Sequence, residues 1–154
     1  MAIRVNRGGG RDRTTGGHQT TLPNEPANAS DMRSFVANCM AGASVPEDVA
    51  DEILLAVGEV VANACRHGRR PTVPGEVALR CEIRDSHVAI AVTDEGPGFD
   101  IKTVIHTGVP DLLSAGGRGF FLMRQLMDSV DVESSSSGTT VCLERKLINQ
   151  LRHQ

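Results

Sequence analysis

The sequence predicts an α+β fold, a two-layer sandwich in which a mixed, mostly antiparallel sheet carries its helices on one face. Three observations predict it. Apolar residues alternate at Val77, Leu79, Cys81 and Ile83 and again at Val88, Ile90 and Val92, the period of strands with one buried face. Asp85-Ser86 stands between these runs and turns one into the other as a hairpin. Segments of helical period lie before and after the hairpin, so the pattern lacks the alternating units of a parallel sheet.

The elements follow in order. Residues 1–17 hold four arginines and five glycines with almost nothing to bury, the composition of a flexible tail. Residues 18–22 suit a short strand halted by Pro23 and Pro26, and therefore a sheet edge. Ser30 is positioned to cap a first helix in which Met32, Phe35, Val36, Cys39 and Met40 recur at helical spacing, with Gly42 as its stop. Ser44 and Glu47 have capping-box spacing and open a second helix running to Gly68, with Pro46 tolerated in the first turn. The hairpin comes next. Residues 99–117 contain Pro110 and glycines without sustained periodicity, which predicts a long functional loop able to act as a lid, with room for a short helix at 111–114. Gly119 opens a third helix with Phe120, Leu122, Met123, Leu126 and Met127 apolar. Val130 and Val132 begin a second antiparallel pair that turns through 134–138 and returns through Val141 and Leu143. The expected organisation is a tail (1–17), one domain (18–147) and a short C-terminal tail (148–154).

Composition narrows the function. The 154 residues suffice for one core without disulfides or metal. A net charge of -3, a pI near 5.9 and the lack of Trp and Tyr argue against a nucleic-acid binder. Cys39, Cys65, Cys81 and Cys142 stand far apart, which predicts reduced, buried thiols. No apolar run approaches the ~20 residues of a membrane span and no secretory signal is visible, so a cytoplasmic protein is expected.

Three stretches carry chemistry. Glu59, Asn63 and His67 are successive i, i+4 positions on the second helix and share one face, while Leu54, Val57, Val61 and Ala64 line another. An amide oxygen at Asn63 suits Mg²⁺, which takes oxygen ligands, and a carboxylate one turn away at Glu59 suits a general base. The same spacing also suits a solvated helix face, and His67 suits a cation favourable to the helix end. In the second stretch, Asp94 ends the strand and is followed by Gly96 and Gly98, whose missing side chains let a flat ligand approach the main chain beside a carboxylate able to accept from an exocyclic amine. A surface turn would use the same residues. In the third, Gly116-Gly117-Arg118-Gly119 precedes a helix, where free N–H groups can meet an anion; a flexible hinge is the other reading. No Walker lysine follows.

Order and spacing together resemble the gyrase, Hsp90, histidine-kinase and MutL type of ATP-binding fold. The stretch from Glu59 through Asn63, His67 and Gly68 looks like its N box, Asp94-Glu95-Gly96-Pro97-Gly98-Phe99-Asp100 like its first glycine box, and Gly117-Arg118-Gly119 like its second. Gly138-Thr139-Thr140-Val141 resembles the final strand that places a threonine near adenine. Within that superfamily the pattern, over about residues 20–146, is most similar to the small bacterial anti-sigma factors that are serine kinases. The resemblance implies ATP and Mg²⁺ as cofactors, with Asn63 on the metal, Asp94 on the adenine amine, and Gly96 and Gly98 shaping the nucleotide floor. Gly117 and Gly119 would hold the phosphates, Arg118 and Phe120 would belong to the same nucleotide site, Thr139 would assist at the adenine, and Glu59 would be the catalytic base. Phe120 stands where the family usually has Leu. The implied partners are an anti-anti-sigma protein phosphorylated on serine, a sigma factor and a second copy of the chain, with no direct nucleic acid and no membrane. A catalytically silent, nucleotide-dependent regulator of the same fold, or a simple ATPase, would keep much of this pattern.

Overall fold

The computed structural model describes residues 17–99 and 118–147. Strands β1 (Gly17–Pro23), β2 (Glu76–Ile83), β3 (His87–Thr93), β4 (Ser129–Ser135) and β5 (Gly138–Lys146) form one sheet in the order β1-β2-β3-β5-β4. Every pairing among the described residues is antiparallel. The β2–β3 register, with Ile83 opposite Val88, leaves Asp85-Ser86 at the turn as expected, and the Arg84 N–H closes it on the His87 carbonyl at 2.9 Å. β1 is an edge strand, and it begins at Gly17, one residue inside the predicted tail.

The pleat explains the layers. Val77, Leu79, Cys81, Ile83, Val88, Ile90, Val92, Val141 and Leu143 fall on one face of the sheet and are buried, while their neighbours in the strands are more exposed. Helices α1 (Ala29–Gly42), α2 (Glu47–His67) and α3 (Arg118–Leu126) cover that face. They contribute Met32, Val36, Met40, Ile53, Val57, Val60, Val61 and Met123 to the same core. This is the predicted two-layer sandwich, and α2 is its central helix, packed against α1 and α3.

Both predicted helix caps differ from the expectation. A short 3₁₀ turn over Pro26–Asn28 leads into α1, so the chain is already helical before Ser30, and neither helix start has a side-chain cap. Asn28, at the cap position, donates to the Pro23 carbonyl at 2.9 Å instead. Ser44 is spent on ending α1: it takes a left-handed conformation at φ 58, and the Ala43 and Val45 N–H groups both return to the Met40 carbonyl. Gly42 is the last helical residue, yet the left-handed position falls on the serine. The predicted lid (99–117) and its short helix lie outside the described residues except for Phe99 and so do residues 1–16 and 148–154.

Candidate functional site

The apolar stripe of α2 faces the sheet, which turns Asn63, one residue before Ala64, inward at the edge of the core. Asn63 is only 7% exposed, and neither its Nδ2 nor its Oδ1 has a protein partner among the described residues. A buried amide left unpaired costs about 1–3 kcal/mol, and native structures hold few of them. The orphan atoms therefore point to a ligand, and the amide oxygen has the chemistry of a Mg²⁺ ligand. Among the described residues no group of three or more His, Cys, Asp or Glu could hold a metal by itself, so such an ion would draw its other ligands from water and a bound phosphate.

Asp94 extends the ladder beyond β3, its N–H bonding the Thr139 carbonyl at 2.9 Å. Its buried carboxylate is used asymmetrically. Oδ1 accepts from the Gly96 N–H at 3.0 Å and the Thr139 N–H at 3.2 Å. Oδ2 is turned toward Gly68, where a Cβ would lie 2.4 Å away, so only glycine at the end of α2 leaves room for it. Burial pushes the Asp94 carboxyl above the usual carboxylate range, and the two backbone N–H groups pull it part of the way back. Gly98 is held at φ +74, and a Cβ there would come within 2.1 Å of the Ser135 carbonyl oxygen, so the glycine loop lies directly on the β4–β5 hairpin. Hydroxyls complete this wall: the Phe99 N–H donates to Ser134 Oγ at 2.9 Å, and Ser134 Oγ pairs with Thr139 Oγ1 at 2.8 Å.

These residues enclose a pocket of about 160 Å³ with Asn63 and His67 from α2, Asp94 and Gly98 from the glycine loop and Thr139 from β5, walled by Val60, Ala64, Val92, Phe99 and Val141. A cavity of this size admits an aromatic ring. Of the residues selected from sequence, the structure brings Asn63, Asp94, Gly98 and Thr139 together, with Gly96 beneath them on Asp94. Glu59 lies half-buried one turn back along α2, and Gly119 and Phe120 lie in the first turn of α3; none of the three lines the pocket. Arg118 is the first residue of α3, and Gly117 lies outside the described residues. His67, read from sequence as a helix-end cation, stands on the pocket wall.

Sequence reasoning passed over two residues. Asn24 is fully buried and donates from Nδ2 to the Ala64 and Gly68 carbonyls at 3.0 and 3.1 Å, fixing the last turn of α2 behind Asp94. Ser134 links the glycine loop to Thr139. Both act across the fold, and no local pattern marks them.

Residues 22–145 match the family model of the histidine kinase-like ATPase domain. The serine-protein kinase RsbW of Bacillus velezensis is 31% identical over 135 residues, covering 82% of this chain and 82% of that protein. The chain belongs to the anti-sigma factor serine kinase family. The anti-sigma F factor of Clostridium novyi is 37% identical over 106 residues, 66% of this chain and 73% of that protein. The solved structure of the RsbU and RsbW domains of Rv1364c from Mycobacterium tuberculosis superposes with a TM-score of 0.65 at 21% identity, covering 86% of this chain and 33% of that one, and shares the fold. Among the described residues no helix is long and apolar enough to cross a membrane.

Proposed function

We propose that this chain is a cytoplasmic anti-sigma factor that sequesters a sigma factor and, as a Mg-ATP-dependent serine kinase, phosphorylates an anti-anti-sigma partner. The buried amide of Asn63, without a partner among the described residues and in a pocket shared with the Asp94 carboxylate, carries the reading. Asn63 Oδ1 would hold Mg²⁺, and the free oxygen of Asp94 would accept from the adenine amine while Thr139 and Ser134 keep the carboxylate's wall in place. The valines of the pocket would take the faces of the base, and Gly96 and Gly98 would let it approach the main chain. Gly117, Arg118, Gly119 and Phe120 would stand at the phosphates, where the N-terminus of α3 favours negative charge. When bound, the metal neutralises charge on the transferring phosphoryl group. Glu59, one turn from Asn63, would accept the proton of the partner serine. The domain would span residues 18–147, and a homodimer is part of the same proposal.

A second reading has its own observation. Glu59 stands off the pocket wall, as suits a regulator that binds nucleotide and acts by contact alone. Incubating the chain with ATP and a single-domain anti-anti-sigma protein, then mapping phosphoserine by mass spectrometry, separates the two. Phosphoserine on the partner supports the kinase. Nucleotide-dependent complex formation without phosphoserine supports the contact-only regulator, and free phosphate without either would make the chain a simple ATPase.

A further inference from the structure

Arg70 lies just beyond α2 and reaches both walls of the pocket from outside. Its Nε donates to the Glu95 carbonyl at 3.2 Å and its Nη2 to the Gly96 carbonyl at 3.4 Å, both in the loop that follows Asp94. Nη2 also donates to the carbonyl of Ser136, at the turn of the β4–β5 hairpin that carries Thr139. One planar guanidinium thus ties the end of α2, the glycine loop and the hairpin at a single point, a task suited to its fork of fixed donors. Arg70 is exposed and does not line the pocket.

The segments it joins meet through backbone and hydroxyl hydrogen bonds at Asp94, Phe99, Ser134 and Thr139, with no interlocking apolar side chains at their tips. Gly96, Pro97 and Gly98 form one and the serines at 134–137 with Gly138 the other, so apolar packing between them is slight. Their contact is nonetheless close, since the Gly98 backbone lies on the Ser135 carbonyl and the Gly96 backbone on Gly68. Asn24 secures the opposite side of the same joint through the Ala64 and Gly68 carbonyls. We propose that Arg70 is a positioning residue for nucleotide recognition: it presets the two loops that hold the Asp94 carboxylate and Thr139, so that their ordering is not charged to the binding step. The inference rests on the pocket being an ATP site. It predicts an effect on affinity and base preference rather than on folding, because the side chain is exposed while the loops it fixes carry the polar groups that face the base.

The test is calorimetric titration of the full chain with Mg-ATP and Mg-GTP, for wild type, Arg70→Ala and Arg70→Lys, each with a thermal melt. Arg70→Ala is expected to weaken ATP binding about tenfold, the weight of one net hydrogen bond. It should narrow the preference for ATP over GTP and leave the melting transition close to that of wild type. Arg70→Lys, with a flexible ammonium that can still reach a carbonyl, should recover part of both the affinity and the preference. If wild type binds ATP and Arg70→Ala binds it equally well with the same preference, this inference alone fails. A melting loss in Arg70→Ala with no change in affinity or preference would likewise overturn it, by making the residue structural. If wild type binds no ATP, the reading of the pocket fails and the inference with it. Should Arg70→Ala not fold, the lysine variant decides: affinity equal to wild type overturns the proposal, and a partial loss with a narrowed ATP preference supports it.

Discussion

Replacing Asn63 by leucine separates what the site costs the fold from what it does for a ligand. Leucine has the branching and the side-chain heavy-atom count of asparagine, with bulkier methyl groups in place of the amide oxygen and nitrogen, and the position shares its pocket with Val60, Ala64, Val92 and Val141. Among the described residues Asn63 leaves two buried polar atoms without partners, and an unmet buried group costs about 1–3 kcal/mol, so removing both should stabilise the ligand-free protein by about 1–2 kcal/mol after some strain from the larger side chain. For a domain of this size that raises the melting temperature by about 3–8 °C. The same substitution removes the proposed metal ligand. A thermal-shift series without ligand, with Mg²⁺, with ATP and with both reads the two effects together. Wild type should be lower-melting when empty and gain stability with Mg-ATP; Asn63→Leu should start higher and gain nothing from the metal. A lower melting temperature for ligand-free Asn63→Leu would refute the reasoning about the orphan amide, and an undiminished Mg-ATP shift would remove Asn63 from the metal site.

Three further outcomes follow from particular residues. Glu59→Ala should bind Mg-ATP normally and lose about 10²- to 10⁴-fold in phosphoryl transfer to a partner serine, measured by single-turnover label transfer. Asp94 has its carboxyl raised by burial, so the fold favours the neutral form: protonation on acidification removes the proposed acceptor for the adenine amine while relieving the cost of the buried charge. ATP affinity should therefore fall, with decreasing pH, at a pH above the ordinary aspartate range, while the apo fold loses none of its stability from this group; titrations of wild type and Asp94→Asn should show that the variant binds about 1–3 kcal/mol more weakly at neutral pH and lacks this pH dependence. Ser44→Gly should raise stability by about 0.5–1 kcal/mol in urea denaturation, because φ 58 is free to glycine and strained for serine.

The fold was legible because its signals are local. Alternation at 77–83 and 88–92 marks the two central strands, Asp85-Ser86 marks their turn, and the long apolar stripe of α2 marks the helix that packs across them. Proline at 23 and 26 confined β1 to an edge. The helix caps depart from their sequence signals for a tertiary reason. Ser30 precedes a run of helical period and Ser44 has capping-box spacing with Glu47, yet the 3₁₀ entry through Pro26 and the left-handed closure at Ser44 satisfy the chain's path between elements first. In the site, residues whose neighbours in sequence are also neighbours in space were readable, as with Asp94, Gly96 and Gly98. Residues that lie outside any such motif and whose partners are far along the chain were not: Asn24 meets carbonyls 40 and 44 residues away, and Arg70 meets one 66 residues away. Helical spacing put Glu59 and Asn63 on one face, but it carried no information about how deep the pocket runs along α2, and the wall ends at Val60.

The proposed role of the pocket between α2 and the glycine loop is that of a Mg²⁺-dependent adenine nucleotide site. Calorimetric titration of the wild-type chain with ATP and with GTP, in Mg²⁺ and in its absence, tests it most directly. One saturable site per chain is expected for ATP, tightened by Mg²⁺, with markedly weaker heat for GTP. No ATP heat under any condition, or equal binding of the two nucleotides, would contradict it.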